Sequence, residues 1–193
     1  MSTELQRRNG HEGLRPGEAA GTQGLRIVTI GGGTGSHNVL MGLKKQSCEI
    51  TAVVTMSDSG GSSGRLRDEL GQLPPGDVRQ CLVALAPDER ASLLFRNFFN
   101  YRFPAGKGLK GHSFGNLFLA VLADITGSMT AAIAEASSIL RIRGEVLPVS
   151  LTNTNLKARL IDGTEITGEA NLSERTIKPE VPIDYVYLDP TAY

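Results

Sequence analysis

The feature that most constrains the fold is the stretch Leu25–Lys45, which reads LRIVTIGGGTGSHNVLMGLKK. It predicts a short apolar strand over Leu25–Ile30, a glycine loop over Gly31–Gly35 and then a helix. A strand that runs through a loop into a helix aims the free N–H groups of that helix at one point, which attracts anions. Glycine also removes the Cβ that would hold a phosphate away from the backbone. The stretch predicts a phosphate cradle, although a plain tight turn also fits the glycines alone.

Composition narrows the classes of function. The 193 residues suffice for one ordinary domain, and 20 Lys and Arg balance 20 Asp and Glu, so no basic field favours nucleic acid or a membrane surface. The two cysteines, Cys48 and Cys81, lack metal-ligand spacing. No apolar run reaches the length of a membrane span, and no signal-peptide core opens the chain. We expect a cytoplasmic protein with a disordered tail over residues 1–24.

A second candidate ligand loop follows the next predicted strand, Glu49–Met56. The strand ends in Ser57–Gly64, a run of Ser and Gly that contains Asp58 and is followed by Arg65 and Arg67. An acidic residue at this place commonly binds a ribose in doubly wound folds, and arginine side chains suit phosphate or carboxylate. A flexible linker is the alternative, but linkers rarely begin with an Asp at the end of a buried strand.

A third segment begins with the rigid turn Gly71–Gly76, in which two prolines restrict the backbone. Asp77 is a candidate N-cap for the predicted helix Asp77–Ala86. The apolar stripe of that helix consists of Val78, Cys81, Leu82 and Leu85. Arg79 lies off the stripe, where it reaches a phosphate if the turn faces a cleft and is otherwise a surface arginine.

A fourth segment, Gly106–Asn116, gathers Gly, Lys, His, Ser and Asn before another predicted helix. His112 is a candidate acid, base or phosphate donor because the ordinary pKa of histidine lies near neutrality. A structural histidine is the alternative, and Ser113 or Asn116 would equally serve as a helix cap. The sequence establishes no Ser, His and Asp ordering, so it supports no catalytic triad.

Apolar periodicity predicts the elements of the rest of the chain. The predicted helices are Asp88–Asn100, Leu117–Ile125 and Ser128–Leu140. In the last of these, Met129, Ile133, Ala136 and Leu140 are in helical register and form the apolar stripe. The predicted strands are Glu145–Ser150, the hairpin formed by Leu156–Ile161 and Thr164–Ile166, and Tyr185–Leu188.

These elements indicate an α/β fold with a Rossmann-like parallel sheet layered with helices, incomplete at its C-terminal end and with a β-hairpin excursion. We expect a nucleotide-binding core over residues 25–143. Residues 144–193 would hold the hairpin and the start of the second half of the same fold. Leu117–Ile125 is expected to be buried between layers, and Tyr185–Leu188 to be a buried strand. The aromatic and aliphatic residues expected in the core of the Asp88–Asn100 helix are Leu94, Phe95, Phe98 and Phe99.

Four segments together resemble the YvcK branch of the YvcK/CofD family. They are GGGTG at Gly31–Gly35, SDSGGSSGRLRDEL at Ser57–Leu70, PPGDVRQCLVAL at Pro74–Leu85 and GHSFGNLFL at Gly111–Leu119. The resemblance implies a cytoplasmic gluconeogenesis factor that is needed for cell shape on gluconeogenic carbon sources. It further implies a regulatory protein, rather than an established enzyme, that binds a nucleotide sugar, typically a UDP-sugar such as UDP-N-acetylglucosamine.

The resemblance also implies a set of ligand-binding residues and leaves any catalytic residue unknown. The glycine loop would hold the diphosphate, and the other segments would line the same cleft. The implied residues are Gly31, Gly32, Gly33, Thr34, Gly35, Asp58, Gly60, Gly61, Ser62, Ser63, Arg65, Gly76, Asp77, Arg79, His112, Ser113 and Asn116.

The chain departs from the family pattern at two places. The family usually has two aspartates where this chain has Asp58 and Ser59, and the loss of one carboxylate weakens any Mg²⁺ site. A later glycine-rich loop of the family is absent, so we expect the N-terminal portion of a longer protein.

Two other functions remain open at this stage. The sister branch of the family implies a 2-phospho-L-lactate transferase that uses a nucleotide-activated donor and Mg²⁺. Tubulin-like GTPases also contain GGGTG, but there a complete sheet precedes the motif, whereas here only the tail does. The sequence leaves the oligomeric state open and is compatible with a homo-oligomer.

Overall fold

The computed structural model describes residues 24–174 and 177–192 of the chain. The predicted tail, residues 1–24, lies outside this range except for Gly24. In chain order the elements are β1 (Leu25–Gly31), α1 (Gly33–Leu43), β2 (Cys48–Val54), α2 (Gly61–Leu70), α3 (Gly76–Leu85), α4 (Arg90–Asn100), α5 (Phe114–Thr126), α6 (Met129–Leu140), β3 (Glu145–Pro148), β4 (Asn155–Leu160), β5 (Glu165–Thr167), α7 (Glu169–Glu174) and β6 (Ile183–Asp189).

A parallel sheet in the order β1-β2-β3 forms the base of the fold. Helices α1, α3 and α6 pack against one face of this sheet. The other face is open at β1, where Val28 and Ile30 are exposed. A parallel sheet with helices on it is the predicted α/β class, and the predicted strands coincide with β1, β2 and β3 to within two residues.

Helices α3 and α6 form the core against the sheet. The predicted stripe of α3 is buried, and Val83 and Ala84 on its other faces are buried too, so this helix is enclosed on all sides. In α6 the predicted apolar register is confirmed, and the hydroxyl of Ser128 caps the helix by accepting the N–H of Ala131 at 3.1 Å.

Helices α4 and α5 form an outer layer on the core helices, α2 packs against α5, and in this layer the prediction of burial was wrong. Phe99 is buried, but Leu94, Phe95 and Phe98 of α4 are exposed. Helix α5 is not buried between layers, because one side of it carries the exposed Val121 and Ile125. In the described part of the chain, α4 and α5 pack chiefly against other helices.

A second, antiparallel sheet in the order β5-β4-β6 follows β3. The predicted hairpin around Asp162-Gly163 is confirmed as β4 and β5. The predicted burial of the last strand was wrong, because β6 is a sheet edge and Tyr185 and Val186 on it are exposed.

Both predicted glycine loops are shorter than expected. Helix α1 begins at Gly33 and helix α2 begins at Gly61, so part of each loop is the first turn of a helix. Gly33 and Gly61 have φ of +65° and +44°, a backbone region that favours glycine, which explains why glycine stands at the first position of each helix. Across residues 24–174 and 177–192, no helix is both long and apolar enough to span a membrane.

Candidate functional site

The candidate site lies where β1 and β2 end side by side. Gly31 pairs with Val54 at the carboxyl ends of these parallel strands, so the segments that follow them are neighbours. Gly32 and Gly33 from the first segment and Asp58 from the second line one cleft of about 470 Å³. The two turns predicted to share a ligand therefore lie on the same side of the molecule.

The carboxylate of Asp77 joins these two turns. Its Oδ1 accepts the N–H of Gly33 at 2.9 Å, and its Oδ2 accepts the hydroxyl of Thr55 at 2.8 Å. The predicted N-cap role of Asp77 was wrong, because Pro75 is the N-cap of α3 and Asp77 lies in the first turn. Asp77 instead binds the first amide of α1, a partner 44 residues away in sequence.

The middle of the cleft is acidic. Asp58, Asp77 and Glu169 line it together with Thr55 and Gln80. Burial raises the pKa of Asp77, the hydrogen bonds from Thr55 and Gly33 lower it by less, and the nearby charges of Asp58 and Glu169 raise it further. Carboxylates in this setting accept hydrogen bonds from hydroxyl groups and repel anions.

One end of the cleft combines groups that attract anions. A cavity of about 210 Å³ shares Asp58 and Gln80 with the acidic middle and is lined by Gly61, Ser62 and Ser63 at the start of α2. The first backbone hydrogen bond of this helix is from the N–H of Gly64 to the carbonyl of Gly60, so the preceding α2 amides have no intrahelical acceptor.

Arg79 lines the same cavity and is a buried cation with neutral hydrogen-bond partners. Its Nε donates to Asn116 Oδ1 at 2.9 Å, and its Nη1 donates to Asn100 Oδ1 at 2.6 Å and to the Phe99 carbonyl at 3.4 Å. Burial is the largest cause that lowers the pKa of Arg79, and the like charge of Arg102 adds to it. A buried guanidinium without an ion pair favours an anionic ligand.

A buried polar network lies behind this cationic end. Asn116 Nδ2 donates to Ser63 Oγ at 3.2 Å, and Ser62 Oγ accepts the N–H of Ser113 at 3.2 Å. Ser62 Oγ also lies 3.1 Å from His112 Nδ1. Burial and then the charge of Arg65 lower the pKa of His112, which favours the neutral ring that accepts the Ser62 hydroxyl. The network holds the start of α2 in place. His112 and Ser113 contribute to the cleft through their contacts with Ser62, which lines it.

The other end of the cleft is apolar. A cavity of about 440 Å³ shares Thr55, Ser57 and Leu156 with the acidic middle. The apolar side chains that line it are Met56, Val149, Leu156, Leu188 and Ala192. The cleft therefore runs from an apolar end through an acidic middle to a cationic end.

The structure separates one predicted site residue from the cleft. The Nη2 of Arg65 donates to the carbonyl of Lys110 at 2.9 Å, so this guanidinium is held against the loop before α5. Gly76 packs closely against the site. A Cβ at this position would lie 2.4 Å from Asp58 Oδ2 and 2.3 Å from Ser63 Oγ, so a larger residue would displace these side chains. Gly31, Thr34 and Gly35 adjoin the lining residues Gly32 and Gly33.

Several lining residues were missed by sequence reasoning. Thr55 directly follows β2, before the predicted loop Ser57–Gly64, and could have been found from the rule that sites follow the carboxyl ends of parallel strands. Arg102, Leu156 and Glu169 come from distant segments and carried no sequence signal that tied them to this cleft.

The described residues do not form a ready set of metal ligands. Asp58 Oδ1 accepts the N–H of Gly60 at 2.8 Å, and both oxygens of Asp77 accept hydrogen bonds. Within residues 24–174 and 177–192, no group of three His, Cys, Asp or Glu residues has the arrangement of a metal site. The described residues therefore give no defined position for Mg²⁺ in the cleft.

Comparison with known proteins identifies the family. The model of the family described as 2-phospho-L-lactate transferase CofD matches residues 27–193. The chain belongs to the CofD family. Among solved structures, a crystal structure of a Bacillus halodurans protein superposes with a TM-score of 0.78 at 45% identity and covers 87% of this chain and 51% of that one. This CofD-family chain is therefore similar in fold as well as in sequence to that solved structure.

Curated relatives carry the name gluconeogenesis factor. A protein of that name from Bacillus subtilis (strain 168) is 46% identical over 149 residues, which cover 77% of this chain and 46% of the relative. The gluconeogenesis factor of Halalkalibacterium halodurans is 47% identical over 164 residues, or 85% of this chain and 49% of the relative. A relative from Nostoc sp. (strain PCC 7120) is 55% identical over 150 residues, but only 32% of it is covered. The chain thus spans a third to a half of the length of these relatives.

Proposed function

We propose that this CofD-family chain is the nucleotide-sugar-binding part of a cytoplasmic regulatory protein of the gluconeogenesis-factor type. The protein would link carbon metabolism to cell-wall precursor supply and cell shape, with a UDP-sugar such as UDP-N-acetylglucosamine as ligand. The observation that carries the proposal is the buried Arg79, which has no ion pair among the described residues and lies at the cationic end of a cleft that also has acidic and apolar parts.

The order of these parts matches the order of groups in a nucleotide sugar. The apolar end suits a planar base, and the carboxylates of Asp58 and Asp77 suit ribose hydroxyls. The diphosphate would lie between the first turn of α1 and the start of α2, closer to α2 because Asp77 already occupies the first amide of α1. Arg79 and the α2 amides would then neutralise its charge.

A transferase is the second candidate, since the matched family model is named for 2-phospho-L-lactate transferase. The chain has Ser59 where the family usually has a second aspartate. Incubation with a nucleotide-activated phospholactate donor, an acceptor and Mg²⁺ tests this activity. Product formation would favour the transferase, and recovery of the intact donor by mass spectrometry would favour binding without turnover.

Calorimetric titration of UDP-N-acetylglucosamine into wild type and an Arg79→Met variant tests the proposed site. Loss of one charge-assisted hydrogen bond to phosphate is worth about 1.5–3 kcal/mol, so we expect the dissociation constant to rise roughly 10- to 150-fold. An Arg26→Met variant is the matched control, because Arg26 is exposed near the amino end of β1, opposite the end at which the cleft lies. Its affinity should equal that of wild type.

The Arg79→Met variant also loses hydrogen bonds to Asn116 and Asn100, so a thermal melt must accompany the titration. Asp58→Ala provides a second variant that leaves this network intact. Wild-type affinity in both Arg79→Met and Asp58→Ala would remove these residues from the ligand site and overturn the proposed arrangement.

A further inference from the structure

The second sheet contributes one carboxylate to the cleft. Glu169 is the first residue of α7, a short helix that packs against β4 and β5. It lines the acidic middle of the cleft beside Asp58 and Asp77, which follow the parallel sheet much earlier in the chain. Glu169 therefore reaches the cleft only because the second sheet is held close to the turn that follows β2.

Ser59 holds Glu169 in this position. Its hydroxyl oxygen accepts the N–H of Ala170 at 3.1 Å, a partner 111 residues away in sequence. A Cβ built on Gly168 would lie 3.1 Å from the same oxygen, so the backbone of Gly168 also packs closely against Ser59. Ser59 thus lies against the residues on both sides of Glu169 and connects the start of α7 to the cleft.

Two carboxylate oxygens of the acidic middle remain to accept hydrogen bonds from a ligand. Asp77 uses both of its oxygens within the fold. Asp58 Oδ1 accepts the N–H of Gly60 at 2.8 Å, and Glu169 Oε1 accepts the hydroxyl of Ser173 at 2.9 Å. No donor in residues 24–174 and 177–192 binds the second oxygen of Asp58 or of Glu169. The middle of the cleft can therefore accept one hydroxyl group at each of these two side chains.

The two carboxylates differ in their position along the cleft. Asp58 lines both the acidic middle and the cationic cavity that contains Arg79. Glu169 lies beside the apolar end, because the N–H of the preceding Gly168 donates at 2.8 Å to the carbonyl of Leu156, which lines the apolar cavity. In a nucleotide, the 3′-hydroxyl of the ribose is on the phosphate side and the 2′-hydroxyl is next to the base. Asp58 therefore corresponds to the 3′-hydroxyl and Glu169 to the 2′-hydroxyl.

We infer that Glu169, positioned by Ser59, accepts the ribose 2′-hydroxyl of the bound nucleotide and makes the site selective for ribonucleotides over 2′-deoxyribonucleotides. The inference rests on the proposed function and adds a specificity residue to the same site. A site built to bind a hydroxyl group rejects the analogue that lacks it, because the acceptor is then left unpaired. For a charged acceptor, the expected preference for the ribonucleotide is roughly 10- to 150-fold.

Calorimetric titration of UDP and 2′-deoxy-UDP into each variant tests the inference, with UDP-N-acetylglucosamine titrated in parallel. In wild type, the dissociation constant of 2′-deoxy-UDP should exceed that of UDP by roughly 10- to 150-fold. In Glu169→Ala this ratio should fall below about threefold, since the acceptor is gone. Glu174→Ala is the matched control, because it removes the same charge from the exposed last residue of α7 and should keep the wild-type ratio.

Ser59→Ala tests the positioning role. It keeps Glu169 but removes the hydrogen bond to Ala170, so the ratio should lie between the values for wild type and Glu169→Ala. A purely structural role would lower the melting temperature and leave the ratio of the two dissociation constants unchanged. That outcome would overturn the role of Ser59.

Circular dichroism of each variant checks that the chain has folded. If Glu169→Ala does not fold, Glu169→Gln replaces it, because the amide keeps an acceptor for Ser173 while the charge is lost, and the ratio should again fall. A wild type that binds neither UDP nor UDP-N-acetylglucosamine would overturn the proposed function and this inference together. Binding of UDP and 2′-deoxy-UDP with equal affinity would overturn the inference alone. So would a wild-type ratio in a folded Glu169 variant, or its loss in Glu174→Ala.

Discussion

Replacement of Gly35 by alanine separates the stability of α1 from its role in binding. Gly35 is the third residue of α1 and is exposed. A Cβ built on it meets no atom within 4 Å, and its φ lies outside the range that favours glycine. Nothing in the ligand-free fold therefore requires glycine at this position.

The expected gain in stability follows from helix propensity. Alanine is favoured over glycine by up to about 1 kcal/mol within a helix, and somewhat less in a first turn, so we expect a gain of roughly 0.5–1 kcal/mol. In a domain of this size that gain raises the melting temperature by about 1–4 °C. Gly32→Ala is the contrasting variant, because its Cβ would lie 2.0 Å from Asp77 Oδ2 and 2.3 Å from Thr55 Oγ1. We expect it to lose about 1–3 kcal/mol.

Binding should change in the opposite direction to stability. If a diphosphate lies against the first turn of α1, a Cβ at Gly35 keeps it from the backbone, and the affinity for UDP-N-acetylglucosamine should fall at least about tenfold. Thermal melts and calorimetry on the same preparations measure both effects. A Gly35→Ala variant that melts below wild type would refute the steric reasoning. A stabilised variant with unchanged affinity would show that the ligand does not contact this turn.

Two further predictions concern pH. Burial and Arg65 lower the pKa of His112, so as the pH falls the unfolded chain protonates this histidine before the folded chain does. The contribution of His112 to the free energy of unfolding should therefore be constant above pH 6.5 and decrease as the pH falls below it. Urea unfolding of wild type and His112→Asn checks this, and an equal decrease in both would contradict it. Burial raises the pKa of Asp77, so its ionisation destabilises the fold as the pH rises above 3.8. Asp77→Asn should melt higher than wild type at pH 7 and lose that advantage near pH 4, and a gain that is independent of pH would show a different cause.

The sequence predicted elements well where one side of an element is buried and the other is not. The stripes of α3 and α6 were identified because their apolar residues recur at helical spacing and do face the core. The same periodicity failed at Phe95 and Phe98, since it shows which side of a helix is apolar but not whether another element covers that side.

The cleft was predicted where the chain itself determines the geometry. Glycines after two adjacent strands indicated a cleft, and Gly32, Gly33 and Asp58 do line one. The contact from Asp77 to the amide of Gly33 was not predictable, because capping rules consider only the helix in which a residue lies. The contribution of Glu169 likewise depends on how the second sheet packs.

The bridge formed by Asp77 has a consequence for the kinetics of recognition. Because one carboxylate holds both the α1 amide and the Thr55 hydroxyl, the spacing of the two turns is set when the chain folds rather than when a ligand arrives. Little backbone remains to be ordered on encounter, so association should proceed in a single bimolecular phase, without a slow isomerisation after it. Stopped-flow fluorescence with a labelled nucleotide would then show an observed rate that rises linearly with ligand concentration instead of reaching a plateau.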